Sequence, residues 1–140
     1  MSAKCILVVD DNRSIVKVLE LVLTHEGFEV LTAFDGQAAL EAVNNRKPDL
    51  IILDIEMPEM SGYEVCRRLS LHAATQNIPV IMLTVKGRIE EDRDPSKRDA
   101  VRKHVQERIR AFDVGATDFL TKPVIAKDVV TRVKQILAFS

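Results

Sequence analysis

The 140-residue chain has only two cysteines, Cys5 and Cys66, no tryptophan, and almost no charge excess, with 20 Lys and Arg against 21 Asp and Glu. Two thiols this far apart match neither metal-ligand nor redox spacing, which leaves them as packed, inert side chains. A net charge of -1 offers no global attraction to nucleic acid, a membrane surface or an acidic substrate. No apolar run approaches the roughly 20 residues that span a bilayer. The stretch Cys5 to Val9 is too short for a secretory h-region and runs straight into Asp10 and Asp11. The chain therefore reads as soluble and cytoplasmic. Nucleotide-cradling loops are missing as well, since no G-x-G-x-x-G or G-K-[ST] follows any apolar run. Repeats and low-complexity linkers are also absent, and a 46% hydrophobic chain of this length suits one domain, 1–140, with one core.

What is present is an alternation. Short runs rich in Val, Ile and Leu recur, each followed by a stretch with helical spacing, the pattern of a parallel sheet wrapped by helices. Ile6 to Val9 is the first strand, and its unbroken apolar character suits cover on both faces. Ile15, Val18, Leu19, Val22 and Leu23 then repeat at helical spacing, and Gly27 supplies the stop. Glu29 to Ala33 is a weaker, edge-like strand, and Asp35-Gly36 leads into a helix carrying Ala38, Ala39, Leu40 and Val43, ended by Pro48. Leu50 to Leu53 forms the third strand, with Asp54 at its C-terminal end. A helix with Val65, Leu69 and Ala73 follows, then the fourth strand, Val80 to Leu83, ending on Thr84. Asp94-Pro95 resembles an N-cap with proline in the first turn, so a helix from Pro95 to Asp113 is expected, roughly 28 Å long and closed by Gly115. Asp118 to Leu120 is the last strand. Lys122-Pro123 leads to a final helix with Val129, Val130, Val133, Ile136 and Leu137.

In an open parallel sheet, ligands bind beyond the carboxyl ends of the strands. At those ends this chain places Asp10 and Asp11, Asp54, Thr84 and Lys122. Two negative charges about 4 Å apart repel by roughly 4 kcal/mol at an effective dielectric near 20, so three clustered carboxylates call for a cation. Oxygen-only ligands favour a hard divalent ion. Mg²⁺ fits best, because it takes one or two carboxylates and leaves positions for water and phosphate oxygens. Such a site suits a phosphoryl group, with Asp54 as nucleophile, Thr84 hydrogen-bonding one phosphoryl oxygen and Lys122 neutralising others. Helix capping is the bland reading of the acids. It explains Asp11 but gives no reason for Thr84 and Lys122 at their strand ends. His25, His72 and His104 sit away from this rim and read as surface residues.

Nearly the whole chain resembles the receiver domains of two-component signalling. The resemblance rests on V-V-D-D-N at Val8 to Asn12, L-D-I-E-M-P-E-M-S-G-Y-E at Leu53 to Glu64, M-L-T at Met82 to Thr84, and G-A-T-D-F-L-T-K-P at Gly115 to Pro123. It implies an α/β, doubly wound, flavodoxin-like sheet of five parallel strands in order 2-1-3-4-5, with five helices. Asp54 would be the phosphoacceptor. Asp11, Asp54 and the Glu56 backbone carbonyl would hold Mg²⁺ directly, and Asp10 through water. Thr84 would move toward the phosphoryl group while Phe119 turns inward, and Lys122-Pro123 would be cis, an isomer that an X-Pro bond tolerates. A sensor histidine kinase or histidine phosphotransfer protein would be the donor. The surface formed by the fourth helix, fifth strand and fifth helix would switch and meet an output protein or domain, or a second copy of the chain.

The sequence departs from the family pattern between Thr84 and Lys122, which lie about four helical turns further apart than is usual there. The extra residues fall at about 92–108, extend the fourth helix region, and would reshape the output face. A solvated, salt-bridged helix is the plainer reading of that segment. Nucleic-acid binding through it is disfavoured, because acids interleave with its bases and stacking aromatics are lacking. Glu56 and Lys86 would flank the path of attacking water, and Val85 is bulkier than the usual residue beside Thr84, so slow self-dephosphorylation is expected. The alternative reading is a Mg²⁺-dependent phosphatase with an aspartyl-phosphate intermediate. It would want a second catalytic acid soon after Asp54 and a cap domain, and neither is evident.

Overall fold

The computed structural model describes residues 3–85 and 115–138. Five strands, β1 (Cys5–Val9), β2 (Glu29–Ala33), β3 (Leu50–Asp54), β4 (Val80–Val85) and β5 (Asp118–Lys122), form one parallel sheet in the order β2-β1-β3-β4-β5. The described helices are α1 (Arg13–His25), α2 (Gly36–Asn45), α3 (Gly62–Ser70) and α4 (Ala126–Ala138). The expected doubly wound architecture and strand order are thus present. The long helix expected from Pro95 to Asp113, the insertion at 92–108, and His104 lie outside the described residues.

The two faces of the sheet follow from the two-residue period of a strand. Leu7, Val9, Ile51, Leu53, Val80 and Met82 face α2 and α3, packing with Ala39, Val43, Val65, Cys66 and Leu69. Their neighbours Ile6, Val8, Leu50, Ile52, Ile81 and Leu83 face α1 and α4, against Val16, Leu19, Leu23, Val129 and Val133. Covered on both sides, β1 and β3 are buried along their whole length, which is why their sequences show no polar alternation.

Local signals set the helix limits. Asn12 caps α1 by accepting hydrogen bonds from the Ser14 and Ile15 amides at 3.0 and 3.3 Å. At the other end, Phe28 N–H donates to Leu23 and Gly27 N–H to Thr24, a Schellman turn that needs the positive φ of Gly27. Asp35 caps α2 through the Ala38 amide at 2.7 Å.

Two core assignments made from periodicity fail. Val18 is 51% exposed. It lies one residue, hence about 100° around the axis, from buried Leu19, and the buried stripe runs through Val16, Leu19 and Leu23 instead. Ala73 is exposed and lies beyond the end of α3 at Ser70. The Leu69 carbonyl that a continuing helix would offer to the Ala73 amide accepts the Thr75 hydroxyl, at 2.6 Å.

Ile52 has no solvent exposure and sits on the central strand, where little can collapse into a void. Ile52→Ala is expected to cost about 2–5 kcal/mol in urea unfolding, and Ile52→Val about 0.5–1.5 kcal/mol. A loss below ~1 kcal/mol for the alanine variant would contradict this packing.

Candidate functional site

Strand register brings the predicted rim residues to one level. Val9 pairs with Leu53, so Asp10 and Asp54 follow side by side; Asp54 pairs with Leu83, which puts Thr84 next; Thr84 pairs with Thr121, which puts Lys122 next. Thr84 lies at the end of β4 as expected, one residue before its last, and Lys122 belongs to β5 rather than following it, because that strand runs further than the apolar pattern indicated. Asp10, Asp54 and Thr84 are the buried polar residues of the described chain, at 0%, 1% and 2% exposure. Asp11 is exposed, and a carboxylate oxygen from each of Asp10, Asp11 and Asp54 lies within 4.8 Å of the others.

Lys122 bridges the two buried acids. Its Nζ is 3.1 Å from Asp10 Oδ2 and 3.2 Å from Asp54 Oδ1. The Asp10 contact is an ion pair without hydrogen-bond geometry, and Asp54 Oδ2 has no hydrogen-bond partner among the described residues. Asp10 Oδ1 accepts from the Asn12 amide at 2.9 Å, which ties the carboxylate to the first turn of α1. The peptide bond from Lys122 to Pro123 is cis, as the resemblance implied.

One ammonium, paired with two acids of a cluster of three, leaves a deficit of positive charge. Burial raises the Asp54 pKa to about 7, with the Asp10 charge adding to the rise and Lys122 working against it. For Lys122, burial opposes the charged form, but the facing Asp54 and Asp10 carboxylates outweigh it and raise the pKa. Buried oxygens without hydrogen bonds among the described residues, in an oxygen-only cluster of three acids, fit a hard divalent cation.

The loop after β3 is held close to Asp54. Gly62 N–H donates to the Ile55 carbonyl at 2.9 Å, and Glu59 adopts a positive φ of 69° beside a Met60-to-Pro58 backbone hydrogen bond of 2.8 Å. A Cβ on Gly62 would stand 2.3 Å from the Asp54 carbonyl oxygen, so only glycine allows this approach. The sequence reading passed over Gly62 as a positioning residue. Its signal was a glycine opening a helix soon after a strand that ends in a candidate nucleophile.

The remaining candidates divide. The Glu56 side chain is exposed. Phe119 is partly buried, paired with Met82 across β4 and β5, and packs on the core beneath α2 and α3. Val85 closes β4 opposite Lys122, and Lys86 lies outside the described residues. His25 and His72 are exposed, away from the cluster. Cys5 and Cys66 are buried, and burial pushes the Cys66 thiol up to about 11. Such a thiol is inert at neutral pH.

Comparison with known proteins adds the following. The family model described as the response regulator receiver domain matches residues 6–102. The alkaline phosphatase synthesis transcriptional regulatory protein PhoP of Bacillus subtilis is 39% identical over 134 residues, covering 96% of this chain and 48% of that protein. Response regulator PleD of Caulobacter vibrioides is 40% identical, covering 99% of this chain and 27% of its own length. The chain thus spans about half, or less, of these relatives. Among solved structures, the receiver domain of NtrX from Brucella abortus aligns with a TM-score of 0.78 at 29% identity, covering 96% of this chain and 99% of that one. Vibrio cholerae chemotaxis protein CheY4 aligns with a TM-score of 0.75 at 28% identity, covering 96% and 98%.

The raised Asp54 pKa has a sign that stability can read. Between the ordinary carboxylate value of 3.8 and about 7, the folded chain keeps a proton that the unfolded chain releases, so stability falls as pH rises through that window. Asp54→Asn removes the penalty. In chelator at pH 8 its Tm is expected to exceed wild type by about 3–6 °C, with the gap closing toward pH 4. Equal Tm values at pH 8, or a less stable variant, would refute the charge deficit.

Proposed function

Because this chain belongs to the response-regulator receiver domains of two-component signalling, we propose that it is the phosphoacceptor of a phosphorelay, taking a phosphoryl group onto Asp54 from a phosphohistidine donor. The observation that carries this reading is the Lys122 ammonium set between Asp10 and Asp54, with Asp54 Oδ2 buried and lacking a hydrogen-bond partner among the described residues. In the reaction an Asp54 carboxylate oxygen bonds to phosphorus. The phosphorus–nitrogen bond of the donor breaks, and the departing imidazole keeps the electron pair.

Attack requires the ionised carboxylate. Lys122 supports that form and then neutralises charge on the transferred phosphoryl oxygens. Thr84, buried at the end of β4, supplies a hydroxyl to one of those oxygens and shifts toward it, and Phe119 turns inward in response. Asp11, Asp54 and the Glu56 carbonyl would hold Mg²⁺, with Asp10 acting through water. The ion would offset the surplus carboxylate charge and that of the phosphoryl oxygens.

The partners follow from this chemistry: a sensor histidine kinase or histidine phosphotransfer protein upstream, and an output protein or domain, or a second copy of the chain, reading the switched surface. We place the exchange in the cytoplasm. Among the described residues no helix is long and apolar enough to cross a membrane. Residues 1–140 form a single receiver unit in this reading, and the insertion at 92–108 shapes its output face.

Incubation with acetyl phosphate and Mg²⁺, followed by intact mass, tests the proposal. Wild type is expected to gain one phosphoryl group, and Asp54→Asn or added chelator to abolish the gain. Lys122→Ala is expected to slow labelling about 10²-fold. Unlabelled wild type, or labelling that survives in Asp54→Asn, would overturn the assignment. Sustained turnover of p-nitrophenyl phosphate would point to the phosphatase instead.

A further inference from the structure

Just after the acid pair in the chain comes a cation that the reaction above does not use. Arg13 is the first residue of α1, two residues beyond Asp11, and so its Cα lies within about 7 Å of the Asp11 Cα. Its guanidinium carbon stands 4.0 Å from the centroid of the Phe34 ring. Phe34 in turn follows Ala33, whose carbonyl accepts the Asp10 amide at 3.3 Å. One half of this clamp is thus two residues from Asp11, and the other is the chain neighbour of the residue bonded to the Asp10 amide.

The clamp fixes where the charge sits. Arg13 is exposed and forms no salt bridge with any described residue, although Asp11 lies two positions away and Asp35 follows Phe34. Stacking on an aromatic face holds a guanidinium without cancelling its charge, as a carboxylate partner would. The first turn of α1 contains no acid, so the positive end of the helix adds to the same field. A cluster that attracts cations is thus edged by a fixed positive charge.

We infer that Arg13, positioned by Phe34, is a specificity-determining residue that favours the more highly charged phosphoryl donors and weakens divalent-cation binding at the same site. The inference rests on the phosphoacceptor reading. Its logic is electrostatic: a unit positive charge held at the start of α1 attracts an incoming dianion more than a monoanion, repels Mg²⁺, and fades as salt shortens the Debye length. A residue with a purely structural role would not move these two affinities in opposite directions.

The test compares wild type, Arg13→Gln, Arg13→Lys and Phe34→Leu in the full chain, at about 20 mM and about 500 mM salt. Second-order labelling rates are measured with acetyl phosphate and with the less charged phosphoramidate, and Mg²⁺ affinity by calorimetry. In low salt Arg13→Gln is expected to slow acetyl phosphate about three- to tenfold and phosphoramidate less, while binding Mg²⁺ about two- to fivefold tighter. Arg13→Lys is expected to restore most of the rate. Phe34→Leu, which frees the guanidinium, falls between. High salt should compress all differences. Equal rates and equal Mg²⁺ affinity in wild type and Arg13→Gln would overturn the inference while leaving the acceptor role standing. Unlabelled wild type would withdraw both.

Discussion

One ammonium between two carboxylates shut off from solvent is the contact around which this molecule is arranged. Lys122 Nζ lies within 3.2 Å of both Asp10 and Asp54, which are 0% and 1% exposed. Charges this deeply placed survive only with close partners, because desolvation costs several kcal/mol per ion in real proteins. The three residues sit at the ends of three different strands, separated by 44 and 68 positions in the chain. Only the shared register of β1, β3, β4 and β5 brings them together, so the sheet is what makes the contact.

That dependence explains the stiffness of the surroundings. The strands bearing the acids are the central ones, covered on both faces and buried throughout. A close-packed interior has few voids into which the rim could relax. Above the sheet, Asn12 joins the first turn of α1 to Asp10, and Gly62 lets the β3–α3 loop press on Asp54. Rigid strands fix the charges, and short turns close over them.

Much of this was legible in the residues. Apolar runs locate all five strands, Asp35 and Gly27 bound helices at the expected places, and the strand-end rule picks out Asp10, Asp11, Asp54, Thr84 and Lys122. Less legible was what depends on distance in the chain. An unbroken apolar strand does not say which residues face which helices, and Val18 was given to the core because its helix holds more apolar residues than one stripe can bury. The end of α3 turned on a Thr75 hydroxyl that no periodicity reports. Lys122 was expected beside a phosphoryl group, and its contact with Asp10 required the folded register. The Arg13–Phe34 clamp joins α1 to the end of β2 and has no local sequence signature.

Lys122 divides its charge between Asp10 and Asp54 at nearly equal distances, so the group sits in a balance rather than a fixed pair. Any new anion at Asp54 competes for that ammonium with Asp10, which is fully buried and holds its other oxygen to the start of α1. Lys122 is also the last residue of β5, followed by a cis peptide and the entry to α4. A change in charge at one atom of β3 is therefore felt by the residue that joins the edge strand to the C-terminal helix. Interiors this tightly packed pass such a load on by shifting between discrete arrangements rather than by bending. The site and the edge of the sheet are thus linked by the electrostatics of a single side chain.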